Sequence, residues 1–136
     1  MPRKTVSTEK TLVTKIKESD NLAPLTAAVV EAMQNKKAEN IVSLDLRKLD
    51  NRFVDIFIIC HGDNDRQVEA IAKEVEDHVK KTLNDRPWHR EGFENREWIL
   101  LDYVNIVVHV FLKEKREFYA IEELWGDAEI KEYKES

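Results

Sequence analysis

Trp98-Ile-Leu-Leu-Asp102-Tyr-Val-Asn-Ile-Val-Val-His109-Val-Phe111 reads as two β-strands with a short turn between them. Successive side chains in a strand point to opposite faces of the sheet. That alternation puts Trp98, Leu100 and Asp102 on one face and Ile99 and Leu101 on the other. In the next strand Val107, His109 and Phe111 share one face, and Ile106, Val108 and Val110 the other. One face is purely aliphatic, as a core requires. The other mixes aromatic, aliphatic and polar groups, and burial of apolar surface does not explain its Trp, Asp and His.

Working outward, Phe53–Cys60 is almost wholly apolar, the pattern of a central strand covered on both faces, with Asp55 as the exception. Ile41–Leu46 alternates as a half-buried strand, and Pro87–Phe93 is a short edge strand. Helical spacing places Leu22, Leu25, Val29 and Met33 on one face of a helix that starts between Asp20 and Pro24 and runs to Ala38. Val68, Ile71, Val75 and Val79 form a second stripe ending near Leu83, behind His61-Gly-Asp-Asn64, which breaks the preceding strand. Asn64 with Gln67 has the spacing of a capping box. A last helix spans Glu114–Trp125, with Gly126 as its C-cap. The expected order is α-β-β-α-β-β-β-α: an α/β (α+β) single domain with a mixed five-stranded sheet flanked by helices. Residues 1–20 read as a flexible N-terminal tail, 21–128 as the domain and 129–136 as a charged C-terminal tail.

The chain has 136 residues, enough for one domain with one core. No apolar run is long enough to cross a membrane, and the N-terminus has no apolar signal region, so a cytoplasmic protein without a membrane partner is expected. The single Cys60 excludes an intrachain disulfide. Net charge is −5, with +4 in residues 1–17 and hence −9 in residues 18–136. So acidic a domain repels phosphate backbones and suits a basic protein partner. The basic tail allows a weak contact with RNA.

Chemical sites are poorly supported. Asp45, Asp55 and Asp102 lie on or beside strands, and carboxylates converging from neighbouring strands can hold magnesium in a nucleotidyltransferase-type enzyme. Asp63-Asn64-Asp65 resembles a metal loop but fits a helix N-terminus better. His61-Gly62-Asp63 sits where α/β folds bind phosphate, yet its acids repel that ligand. Cys60 and His61 are adjacent on a strand and point to opposite faces, so they do not form a nucleophile pair. The mixed face of the Trp98–Phe111 pair remains as a candidate docking surface, for another protein or for a second copy of the chain.

In order along the chain stand Lys36-Lys-Ala-Glu-Asn-Ile-Val-Ser-Leu-Asp-Leu-Arg47, Val54-Asp-Ile-Phe-Ile-Ile-Cys-His-Gly62, Asn64-Asp-Arg-Gln-Val68, Glu91-Gly92, Trp98-Ile-Leu-Leu-Asp102, Val107-Val-His-Val-Phe111, Arg116-Glu-Phe-Tyr119 and Leu124-Trp-Gly-Asp127. Together these motifs resemble the ribosomal silencing factor (RsfS, Iojap-like) family, from about Leu25 to Ala128. The resemblance implies a mixed sheet related to nucleotidyltransferases but lacking their catalytic set, and therefore no enzyme activity and no cofactor. It implies binding to the large ribosomal subunit through its fourteenth protein, which blocks joining of the small subunit and represses translation. It marks Trp98, Asp102, Asn105, His109, Glu91 and Gly92 as partner-binding, and Leu100 lies on the same face. Two departures stand out: Asn105 replaces a usual Asp, and Val104 a usual Gly or Ala.

Overall fold

A computed structural model describes residues 22–50 and 53–135. The tail assigned to residues 1–20 therefore lies outside the described residues. Helix α1 (Ala23–Asn35) carries Pro24 in its first turn, where the missing N–H costs nothing. It buries Leu25, Val29 and Met33, with Ala28 and Ala32 filling the same face. It ends earlier than Ala38. Lys37 takes a positive φ of 62°, and the Ala38 N–H closes back on the Met33 carbonyl at 3.0 Å.

Strand β1 (Glu39–Asp45) pairs antiparallel with β2 (Ile56–Gly62), which is buried along its whole length. The sequence placed this strand at Phe53–Cys60, and the structure shifts it toward the C-terminus. Phe53, Val54 and Asp55 form the bend before it, while His61 and Gly62 stay in the ladder opposite Phe111 and Leu112. A parallel partner still present at those positions holds the strand beyond the point where its apolar run stops. Helix α2 (Asp65–Leu83) then begins, and Asn64 Oδ1 accepts from the Gln67 N–H at 2.9 Å. The Gln67 side chain reaches back to the Asp63 N–H rather than to that of Asn64. Capping therefore explains the Asp63-Asn64-Asp65 cluster. The stripe Val68, Ile71, Val75 and Val79 is buried as read from its spacing.

Three strands follow: β3 (His89–Glu91), β4 (Trp98–Asp102) and β5 (Ile106–Leu112). The helix expected over Glu114–Trp125 is two short ones, α3 (Lys113–Tyr119) and α4 (Ile121–Leu124). They are divided at Ala120, whose φ of 46° ends the first. The chain closes with β6 (Glu129–Tyr133), antiparallel to β1. The sheet thus has six strands in the order β3-β4-β5-β2-β1-β6, not five. Residues 129–133, read as part of a charged tail, are an edge strand. Charged side chains suit an edge that faces water on one side, and apolar periodicity does not register backbone pairing. Tyr133 Oη meets Ser43 Oγ at 3.1 Å, and Gln34 Nε2 donates to the Lys134 carbonyl at 2.8 Å, which fastens the strand.

All pairings are antiparallel except β2 with β5. Helices α1 and α2 cover one face of the sheet over Ile58, Cys60, Ile99, Leu101, Ile106, Val108 and Val110. On the opposite face Val42, Leu44, Phe57, Ile59, Val107 and Phe111 pack beneath Ile121 and Trp125. The alternation read from Trp98–Phe111 is therefore observed. Cys60 faces the helical layer, where burial pushes its thiol up to about 12. His61 turns the other way, toward Arg116 and Glu39.

Arg116 is the buried tie between the C-terminal helices and the sheet. Its guanidinium donates to both carboxylate oxygens of Glu122 at 2.9 and 3.0 Å, to the Asn40 carbonyl at 2.7 Å, and meets His61 Nδ1 at 3.0 Å. Removing one member of a buried ionic network leaves the others desolvated and unpaired. Arg116→Ala is expected to lower unfolding stability by about 3 kcal/mol in urea denaturation. A loss under about 1 kcal/mol would show the network to be solvated.

Candidate docking face

The second face of the sheet is covered where Ile121 and Trp125 lie over β1, β2 and β5. Toward β3 and β4 it opens into a groove of about 610 Å³. Its floor is Leu100, Val107, Phe57 and His109, and its walls include Phe53, Trp88 and Val104. Glu91, Asp102 and His89 bring polar groups to it. Four of the seven residues expected at the interface, Glu91, Leu100, Asp102 and His109, line this groove.

Strand register explains their convergence. Leu100 pairs with Glu91 on one side and with His109 on the other, so three strands place these residues in a single row. Trp98 is next along β4, opposite Phe111, and does not line the groove. It is half-buried. Its indole stacks on Phe111 with centroids 4.9 Å apart and tilts against Tyr119 at 4.7 Å. Its N–H donates to His109 Nδ1 at 3.0 Å. Trp98 thus holds the floor of the groove from beside it.

That bond fixes the histidine. Nδ1 is the acceptor, so the neutral ring carries its proton on Nε2. The Nε2 atom is buried and has no hydrogen-bond partner among the described residues, and the Phe57 ring stands edge-to-face against the imidazole at 4.7 Å. His109 is only 4% exposed, and burial pushes its pKa down to about 3. A neutral imidazole in an apolar floor does not take up a second proton at neutral pH.

Asp102 and Asn105 shape the turn. Asp102 Oδ1 accepts the Val104 N–H at 2.7 Å. The Asn105 N–H returns to the Tyr103 carbonyl at 3.0 Å, and Val104 has φ +78°. That is a γ-turn of the rarer kind, strained for a β-branched residue. Asn105 itself lies across the turn from the groove, beside Asp50, Phe53, Val54 and Asp55. Its carbonyl accepts the N–H groups of Asp55 and Ile56 at 3.0 and 3.1 Å, stitching the turn to the start of β2. Gly92 has a backbone role: at φ +91° a Cβ there would lie 1.9 Å from the Trp98 carbonyl oxygen.

Sequence reading missed Trp88 and Phe53, which are 80% and 78% exposed. Phe53 was read as a buried strand residue. Trp88 fell in a stretch read only as an edge strand, and its N–H extends that pairing by donating to the Asp102 carbonyl at 2.7 Å. The position of Trp88 directly after Pro87 in a polar turn was the available signal.

The three carboxylates considered for magnesium do not converge: Asp45 and Asp55 both lie near Arg47, and Asp102 is apart from them. Asp45 is held by Arg47 through two side-chain bonds of 3.0 and 2.7 Å, and the guanidinium keeps its carboxyl below the usual range. Asp102 sits on β4, separated from β1 by β5 and β2. Among the described residues no three His, Cys, Asp or Glu side chains group as metal ligands would.

The site is thus a shaped apolar groove with an acidic rim on an α/β sheet, the geometry of a docking module. Comparison with known proteins identifies the family. The model of the family described as "Ribosomal silencing factor during starvation" matches residues 18–136. The Bacillus subtilis ribosomal silencing factor RsfS is 41% identical over 99 residues, covering 73% of this chain and 82% of that protein. The RsfS of Chromobacterium violaceum is 40% identical over 97 residues, covering 71% and 78%. A crystal structure of a Chromobacterium violaceum protein superposes with a TM-score of 0.72 at 36% identity, covering 77% of this chain and 86% of that one. The chain belongs to the ribosomal silencing factor family, which is not an enzyme class.

Two stability predictions follow from this geometry. The folded pKa of His109 lies below its unfolded value of about 6.5, so the unfolded chain takes the proton first. The His109 contribution is complete above pH 6.5 and is lost as pH falls toward 3, at about 1.4 kcal/mol per pH unit. His109→Leu should flatten that part of the stability–pH curve measured by denaturant unfolding; an unchanged slope would show that the ring is hydrated. Val104→Gly should relieve the turn and raise stability by about 1 kcal/mol, read as a rise in Tm. A fall in Tm would show the γ-turn unstrained.

Proposed function

We propose that the groove between β3 and β5 is the face that docks on the large ribosomal subunit, through its fourteenth protein. There the bound domain stands in the path of the small subunit and represses translation by steric exclusion, in the cytoplasm. The observation that carries this reading is that Trp88 and Phe53 are both exposed at the walls of a groove with an apolar floor and with Glu91 and Asp102 at its edge. Large exposed aromatics beside an apolar groove cost solubility unless something covers them. Tryptophan is the side chain most often found to anchor an interface. The acidic rim steers encounter with a basic partner. Family membership supports a ribosomal partner; the groove supports the choice of face. Trp98, Leu100 and His109 form and fix the floor, Glu91 and Asp102 the rim, and Gly92 and Asn105 the backbone turns that present it. The reading needs no cofactor, since exclusion of the small subunit is a matter of volume.

Purified large subunits with wild-type protein, Trp88→Ala and Trp98→Ala provide the test by co-sedimentation. Trp88 is exposed, so its truncation should leave the fold intact while weakening binding by about 2 kcal/mol. Trp98→Ala should cost about 2–4 kcal/mol of binding and some stability as well, because Trp98 also packs on Phe111. A sucrose gradient of both subunits should show fewer joined ribosomes with wild-type protein and normal joining with Trp88→Ala. Wild-type binding by a folded Trp88→Ala variant would place the interface elsewhere. Raising salt should slow association more than it speeds dissociation.

A further inference from the structure

The helical cover of the sheet also ends before β6. Helices α1 and α2 pack mainly over β2, β4 and β5. Beside them, between the start of α1 and the strands β1 and β6, lies an open groove of about 450 Å³. Leu22, Ala27, Ile56 and Ile130 give it apolar surface, and Asp45 and Glu129 give it carboxylates. Its α1 wall has the composition of a covered helix. From Ala23 to Val30 the helix carries no charged residue, yet Ala23, Pro24 and Ala27 are exposed. A helix at the surface normally turns charged side chains outward, and one that is apolar all round is a buried one. Among the described residues nothing covers this side of α1.

We propose that residues 10–17 of the same chain, Lys-Thr-Leu-Val-Thr-Lys-Ile-Lys, fold back into this groove as a strap. The chain that precedes α1 starts at the groove itself, because Leu22 lines it. Six residues separate Ile16 from Leu22, a reach of about 20 Å. A tether this short holds its end at about millimolar effective concentration, so a weak contact is enough for docking. Leu12, Val13 and Ile16 are the large apolar residues of the stretch 7–21, and they lie within five consecutive positions.

Charge favours the same return. Residues 1–17 carry +4 and residues 18–136 carry −9, so the segment is drawn toward the domain. Lys15 and Lys17 bring ammonium groups to a groove that holds Asp45 and Glu129. Those carboxylates already meet Arg47 at 2.7 Å and Lys48 at 3.3 Å, so new ion pairs there are worth little. Burial of Leu12, Val13 and Ile16 against the α1 wall holds the strap. Covering the end of a sheet with a segment of chain also protects its edge strand. β3 and β6 are opposite edges, so the strap leaves the docking groove open.

A nitroxide on Thr14→Cys of the full chain tests the placement by NMR. Cys60 is buried and its thiol is pushed up to about 12, so the label goes to position 14. The expected result is selective broadening of the amides of Leu22–Ala27, Asp45 and Glu129–Tyr133. Uniform broadening, or none, overturns the proposal. Broadening at Glu91 and Val104 does the same and assigns the segment to the docking groove. Broadening of an isotope-labelled chain by a nitroxide on a different chain also overturns it and makes a second copy the occupant. Trypsin cleavage after Lys15 gives an independent measure, since protection tracks the docked population. Ala27→Gln sets a long polar side chain in the groove, and Leu12→Ser removes one apolar contact. Each should speed that cleavage about tenfold. Wild-type cleavage rates in both variants would overturn the proposal. Circular dichroism and Tm confirm that each variant is folded.

Discussion

The parallel pairing of β2 with β5 is the constraint on which the rest of the molecule depends. Seven residues of each strand run in register, from Ile56 opposite Ile106 to Gly62 opposite Leu112, at the centre of the sheet. Both strands are apolar on both faces, so each face demands a cover. The helical layer of α1 and α2 meets that demand on one side. On the other, α3, α4 and Trp125 cover the half over β1 and β2. Among the described residues, the helical cover of that face stops where Tyr119 packs on Trp98 and leaves Leu100, Asp102 and β3 open, and that shortfall makes the groove. The candidate site is therefore a consequence of an incompletely covered sheet and not a separate device added to it.

Much of this was legible because buried strands and amphipathic helices write their burial into residue spacing. The stripe Val68–Val79 and the alternation of Trp98–Phe111 are both observed. What was not legible shares one physical cause: backbone pairing and backbone conformation leave no apolar trace. His61 and Gly62 remain in β2 because β5 is beside them, not because of their own preference. Glu129–Tyr133 joins the sheet although its side chains look like those of a solvated tail. Ala120 splits the last helix through a positive φ that alanine rarely adopts.

The candidate site was legible to a different degree. Sequence alone marked Trp98 and His109 as misfits in strands, and the structure shows that the two satisfy each other through one hydrogen bond. Their oddity reports internal architecture as much as contact with a partner. Trp88 and Phe53, the groups most open to a partner, gave no such signal, because one exposed aromatic in a turn breaks no pattern. A polar residue in a buried strand is conspicuous in sequence, whereas an apolar residue on the surface is not.

The neutral imidazole of His109 links these two observations. A charged ring in that floor would sit against Phe57 and Val107, and covering it with apolar groups would strip it of water at a large cost. Burial prevents this by holding the pKa at about 3, and Trp98 acts in the same direction, since a ring already accepting at Nδ1 cannot be protonated there without losing that bond. Burial keeps the ring neutral, and the indole, although it does not line the groove, fixes its tautomer and orientation. Acidity is left to the rim at Glu91 and Asp102, where water still reaches the carboxylates and long-range attraction costs no buried charge. For the docking we propose, separating a neutral floor from a charged rim lets one small face gain affinity from burial and speed from electrostatics without setting either against the other.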